Sequence, residues 1–139
     1  MLLKICSLIL LLIAFLSNCQ SADDWKLYMD KKQIASANGD SVQTVQVHKN
    51  ANTSLTFALA NVDTAFIRKI IVMNEQRKGI SSEMVTVHTN EAVFNIQELY
   101  QQSNGKDLTF YTVKLPANPA KAALVRVAPT PICKLQWVE

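Results

Sequence analysis

Ser54-Leu55-Thr56-Phe57-Ala58-Leu59-Ala60 sets Leu55, Phe57 and Leu59 on one side of an extended chain and smaller or polar residues on the other. Side chains alternate across a strand with period two, so this stretch reads as a β-strand with one face on a core. Phe66 to Met73 is apolar on both faces at its C-terminal end, the pattern of a strand inside a sheet. Asp107 to Leu115 is a second strong strand, and Pro116 ends it. Proline cannot donate to a ladder, so it is confined to strand ends, edges and bulges.

Working outward, Trp25 to Met29 alternates and Asp30-Lys31-Lys32 turns the chain into Gln33 to Ser36, a hairpin. Ala37-Asn38-Gly39-Asp40 is a turn, because Asn-Gly tolerates positive φ. Strands are expected at Val42–His48, Met84–His88, Ala92–Phe94, Leu124–Val127 and Ile132–Val138, with Asn74–Gly79 turning the chain. Pro129-Thr130-Pro131 favours an edge or a crossover before the last strand. Asn95 with Glu98 three residues later opens a helix that Asn104-Gly105 closes. Asn118-Pro119 caps a single turn through Ala122. Short strands about ten residues apart with turn signals between them predict a mainly β fold. The expectation is a single antiparallel β-sandwich or barrel over residues 25–139, with one or two short helices. The spacing is compatible with an immunoglobulin-like sandwich, although the paired cysteines of that fold and their Trp are absent.

The amino terminus has a different character. Met1-Leu2-Leu3-Lys4 precedes a run from Ile5 to Leu16 in which no residue is charged. That run is shorter than the roughly 20 residues a membrane-spanning helix needs, and its basic start fits a secretory signal. Leu16-Ser17-Asn18-Cys19 follows. These four residues resemble the lipobox of bacterial lipoproteins, with Leu16, Ser17 and Cys19 matching and Asn18 standing where that family has Gly, Ala or Ser. The resemblance implies cleavage after residue 18, acylation of the Cys19 thiol and of the new amino terminus, and a membrane anchor. Several acyl chains hold a protein on a bilayer where one binds only marginally. The organisation expected is a signal peptide over 1–18, a lipidated tether over 19–24 and one domain from residue 25. Gln20 is not the Asp that resembles an inner-membrane retention signal. Gln20 to Asp24 is similar to the acidic export signals of surface lipoproteins in Bacteroidota. An outer-membrane location is expected, with the periplasmic or surface face open. Ordinary cleavage after Ser21 or Ala22 would instead release a secreted protein.

Without residues 1–18 the chain keeps 121 residues, enough for one domain to fold without disulfides or metals. It then carries 13 basic and 11 acidic residues, too even a balance for a nucleic-acid partner. The basic pairs Lys31-Lys32, Arg68-Lys69 and Arg77-Lys78 read as solvated strand ends and turns. Cys6 leaves with the signal and Cys19 takes lipid, so Cys133 has no partner within the chain and reads as a small buried apolar residue.

Few residues could carry chemistry. Nucleophilic catalysis needs a base beside the nucleophile, and His48 and His88, each ending an apolar strand, lie in no such motif. His48, His88 and Cys133 are forty or more residues apart, whereas structural zinc uses closely spaced ligand pairs. The carboxylates fall mostly in turns, and Gly39, Gly79 and Gly105 stand singly, so no Gly-rich phosphate loop exists. Trp25, Tyr28, Tyr100, Tyr111 and Trp137 could form a ligand platform or pack in the core. No cofactor or metal is expected. The leading expectation is a lipid-anchored envelope module that binds a protein or glycan without turnover. The alternatives are an inhibitor or immunity-type protein acting on an envelope enzyme through the loop Asn74–Ser82, and an enzyme with a dispersed site.

Overall fold

The computed structural model describes residues 24–37, 41–60, 64–85, 88–124 and 126–139. The signal run, Cys19 and the turn at Asn38-Gly39-Asp40 lie outside them. Among the described residues nine strands and two helices alternate: β1 (Trp25–Met29), β2 (Lys32–Ser36), β3 (Gln43–His48), β4 (Ser54–Leu59), β5 (Phe66–Met73), β6 (Gly79–Met84), β7 (Glu91–Asn95), α1 (Ile96–Ser103), β8 (Leu108–Pro116), α2 (Pro119–Ala122) and β9 (Thr130–Val138). They form two sheets, ordered β2-β1-β4-β7 and β3-β9-β8-β5-β6. The architecture is a mainly β sandwich with two short helices, and neither sheet closes into a barrel.

Local chemistry explains the elements. Asp30 and Lys31, at φ 51° and 62°, form the two-residue turn between Met29 and its partner Lys32, where positive φ at both positions matches the strand twist. The Asn95 side chain accepts the Glu98 amide at 3.1 Å and caps α1. Asn104 ends that helix in the left-handed region at φ 53°. Asn118 caps α2 with Pro119 in its first turn, as expected.

One pairing departs from the antiparallel expectation. β3 runs parallel to β9, from Gln43 opposite Cys133 to His48 opposite Val138. Parallel neighbours need a connection from elsewhere in the chain, and residues 90 apart in sequence meet here. Pro131 lies in β9 at a register shift against β8, and it precedes the first residue paired with β3. The missing N–H is therefore tolerated there.

Four other expectations need correction. Of the strand expected at Met84–His88, residues 86–87 lie outside the described residues, Met84 ends a strand that begins at Gly79, Val85 is outside it, and His88 lies in an exposed turn. Register pairing with β5 fixes this, since Val72 faces Ser81 and Lys69 faces Met84. The loop expected over Asn74–Ser82 thus shrinks to the turn at 74–78. Among the described residues of the expected strand Leu124–Val127, none is in a strand, and Leu124 is 87% exposed. Arg68 is not a solvated strand end but buried in mid-strand, because it shares the inward register of Ile70 and Val72.

The two sheets close over one core. The rings of Phe57 on β4 and Phe110 on β8 meet across the sheets at 4.9 Å. Phe94 on β7 adds an edge contact to Phe110 at 5.5 Å, and Trp25 reaches Phe57 at 6.0 Å. Such pairs add about 0.5–1.5 kcal/mol beyond the area they bury.

The sandwich also has two distinguishable ends. The start of β1 lies with the end of β4, Trp25 facing Leu59, and the start of β5 faces the end of β8, Phe66 with Pro116. The connection from Leu59 to Phe66 is short, so these four termini share one end. The other end holds the β5–β6 turn, the start of β8, the end of β9 and the start of α1. The eight residues of β5 separate the ends by about 26 Å.

Candidate functional site

Chemistry-bearing residues are scattered. His48 is exposed at the end of β3, and its Nδ1 lies 3.0 Å from the main-chain oxygen of Glu139. That oxygen can only accept, so Nδ1 bears the proton. Beside it the Lys49 ammonium donates to the Glu139 carboxylate at 2.8 Å. The hydrogen bond and the opposite charge raise the Lys49 pKa and lower that of Glu139. Cys133 is fully buried, and burial pushes its thiol up to about 12. A protonated thiol is neither nucleophile nor ligand. Cys133 sits at the level of Gln43 on β3, and His48 is five residues further along, roughly 16 Å away at strand rise. Among the described residues no three of His, Cys, Asp or Glu are grouped to hold a metal.

The aromatics divide between core and surface. Trp25 is core. Trp137 meets Tyr100 edge-on at 5.1 Å and donates Nε1–H to the Lys106 carbonyl at 2.9 Å, so both clasp α1 to β9. Gly105, at φ 71°, leaves room there, since a Cβ would lie 3.2 Å from the Tyr100 hydroxyl. Tyr28 and Tyr111 are half-buried, and Tyr111 lines a groove of ligand size.

Two depressions among the described residues bear on function. The smaller, about 220 Å³, lies between β6, β7 and α1 and is lined by Glu83 and Glu98 with Ser81, Val93 and Gln102. Both carboxylates face solvent, and the volume falls below the roughly 300 Å³ at which small-molecule clefts begin. The larger, about 450 Å³, crosses the outer face of the five-stranded sheet. Thr44 on β3, Lys134 and Gln136 on β9, and Thr109 and Tyr111 on β8 line it, with Asp107 just before β8. Its wall is the β5–β6 turn, which contributes Asn74, Glu75 and Arg77.

That wall is preformed. The Asn74 amide donates to the Lys78 carbonyl at 3.0 Å, and the Arg77 amide to the Asn74 carbonyl at 3.0 Å. The Lys78 amide donates to the Asn74 side-chain oxygen at 2.9 Å. Arg77 is held at φ 59°, a left-handed conformation that a non-glycine residue adopts at a cost of about 1–2 kcal/mol. Among the described residues, the side chains of Thr44, Glu75, Arg77, Asp107, Thr109, Tyr111 and Lys134 have no hydrogen bond or ion pair with the protein. The groove therefore offers donors and acceptors on a rigid frame.

Tyr111, one of the five aromatics that could form a platform or pack in the core, and part of the contact loop Asn74–Ser82 meet at this groove. Sequence reasoning missed Thr44, Thr109, Lys134 and Gln136, whose convergence depends on the register of three strands. Period-two parity from Ile70 and Val72 was the signal that could have placed Arg68 inside. Its guanidinium pKa is pushed down by burial.

No family model matches the chain. No curated protein and no solved structure matches it either.

Proposed function

We propose that this chain is a lipid-anchored envelope module, tethered through Cys19, that binds a partner in the groove over β8 and β9 without turning it over. One observation carries this reading: the tether joins one end of the sandwich and the groove wall stands at the other. Five residues separate Cys19 from Trp25, a reach of about 18 Å, and Trp25 begins β1 at the end that faces away from the β5–β6 turn. A lipid on Cys19 would thus hold the groove wall outward, about 26 Å beyond the anchored end. An outer-membrane location agrees with this reading.

The strand order supports a finer assignment within the sandwich. β9-β8-β5 beside β1-β4-β7 follows the order of an immunoglobulin-like domain, with β3 and β6 added at the two edges of one sheet and β2 at the edge of the other. Antibody domains bridge the strands equivalent to β4 and β8 with a disulfide. Here Phe57 and Phe110 occupy those two strands and fill that place.

The test has two parts. Metabolic labelling with a palmitate analogue should mark the wild type and not Cys19→Ala, and the wild type should fractionate with membrane. With a photo-crosslinking amino acid in place of Thr44, which lines the groove, an envelope component should be trapped, and none with the same probe in place of Lys26 on β1. Unlabelled, membrane-free wild-type protein sinks the anchor, and equal crosslinking from both positions sinks the groove as the binding face.

A further inference from the structure

The walls of the groove carry information about its ligand. Thr44 and Thr109 are both register-paired with Lys134, so two hydroxyls flank one ammonium in a row across three strands. Strands lie about 4.8 Å apart, which sets that row at roughly 10 Å. Tyr111 follows Thr109 by two residues on the same face, about 7 Å further along β8, and its ring is half-buried. Asp107 and Glu75 bring two carboxylates, and Arg77 and Lys134 two cations. The lining is therefore neutral overall, rich in hydroxyls, amides and charged groups, and it has one aromatic ring.

We infer that the groove is a glycan subsite for a neutral oligosaccharide, with a sugar face against Tyr111 and sugar hydroxyls bonded to Asp107, Arg77 and Thr109. This rests on the reading of the chain as a binding module. A sugar ring presents C–H faces and hydroxyl edges together, and each hydroxyl both donates and accepts. It is matched by acceptor carboxylates and donor cations beside an aromatic that is apolar on its face and polar at its tip. A phosphorylated or sulfated ligand requires clustered cations, and Glu75 and Asp107 oppose one. An apolar peptide would bury four charged groups without partners, which is strongly unfavourable. The floor stands on strands and the wall on a turn closed by three hydrogen bonds, so little ordering is lost on binding.

Affinity electrophoresis of the full chain in detergent tests this, with native gels containing one polysaccharide at a time. Soluble starch, xylan, mixed-linkage β-glucan and mannan are the neutral probes, and polygalacturonate is the acidic one. At least one neutral polysaccharide should retard the wild type, with binding weakened about tenfold or more in Tyr111→Ala and Asp107→Ala and nearly retained in Tyr111→Phe. Unchanged thermal midpoints show that the variants fold. Retardation by polygalacturonate alone, or retardation unchanged in both alanine variants, overturns the inference. No retardation by any neutral probe, with a protein crosslinked from position 44, overturns the glycan and leaves the binding module standing. No retardation and no crosslink overturn both.

Discussion

Phe57 and Phe110 face each other across the two sheets with ring centroids 4.9 Å apart and planes tilted by 47°. Both side chains are completely buried, and Phe94 packs on each of them. This contact joins β4 to β8 at the centre of a fold whose described cysteine is unpaired. Phe57→Ala should therefore lower stability by about 3–5 kcal/mol, a large share of the roughly 5–15 kcal/mol typical of a domain. Urea unfolding measures it, and a loss below 1 kcal/mol would mean that the sheets do not rely on this contact.

Arg77 tests whether the groove wall is strained for a purpose. Its φ of 59° suits glycine better than arginine, while glycine also loosens the unfolded chain. The two effects leave Arg77→Gly more stable by about 0.5–1 kcal/mol. The same variant should weaken polysaccharide retardation about tenfold or more. A destabilised Arg77→Gly would show that the guanidinium supports the fold instead.

Cys133 gives a pH signature. Its thiol ionises near 12 in the native state against 9.0 ordinarily, so between these values the unfolded chain has lost a proton that the folded chain keeps. Stability contributed by this group is unchanged below pH 9 and falls as pH rises above it, by up to about 1.4 kcal/mol per unit. Unfolding free energies of wild type and Cys133→Ala, compared across pH 8.5–10.5, should diverge in slope. Parallel curves would place the thiol in contact with water.

Lys49 and Glu139 make an exposed pair at 2.8 Å, so its effect is sought in titration rather than in stability. The Glu139 side chain should titrate below its ordinary value of 4.5, through the hydrogen bond and charge of Lys49. The attraction is present above the ordinary carboxylate pKa and disappears as pH falls through the lowered one. In Lys49→Ala the midpoint should return upward, read by carboxyl carbon chemical shifts. An unchanged midpoint would mean that the pair does not persist in solution.

Much of this molecule is written locally. The alternation of Leu55, Phe57 and Leu59, the turn at Asp30-Lys31 and the cap at Asn95 each depend on residues within a few positions of one another. Backbone sterics, side-chain periodicity and short hydrogen bonds settle such features before any distant contact forms. The same local grammar misled at Val85 and His88, which strand propensity placed in a strand and which lie outside one. The ladder with β5 moved the strand to Gly79–Met84. It also misled at Arg68, whose charge suggested solvent although its register placed it inside.

The sequence by itself therefore determined that the chain is a mainly β fold of short strands, where most of those strands lie, and how its helices begin and end. Tertiary structure alone decided that β3 lies parallel to β9, that Thr44, Lys134 and Thr109 form one row, and that the Asn74–Lys78 turn stands beside Tyr111. Those relationships join segments tens of residues apart. No local period encodes them, because strand register is set only when the sheets pair and one face of each is buried.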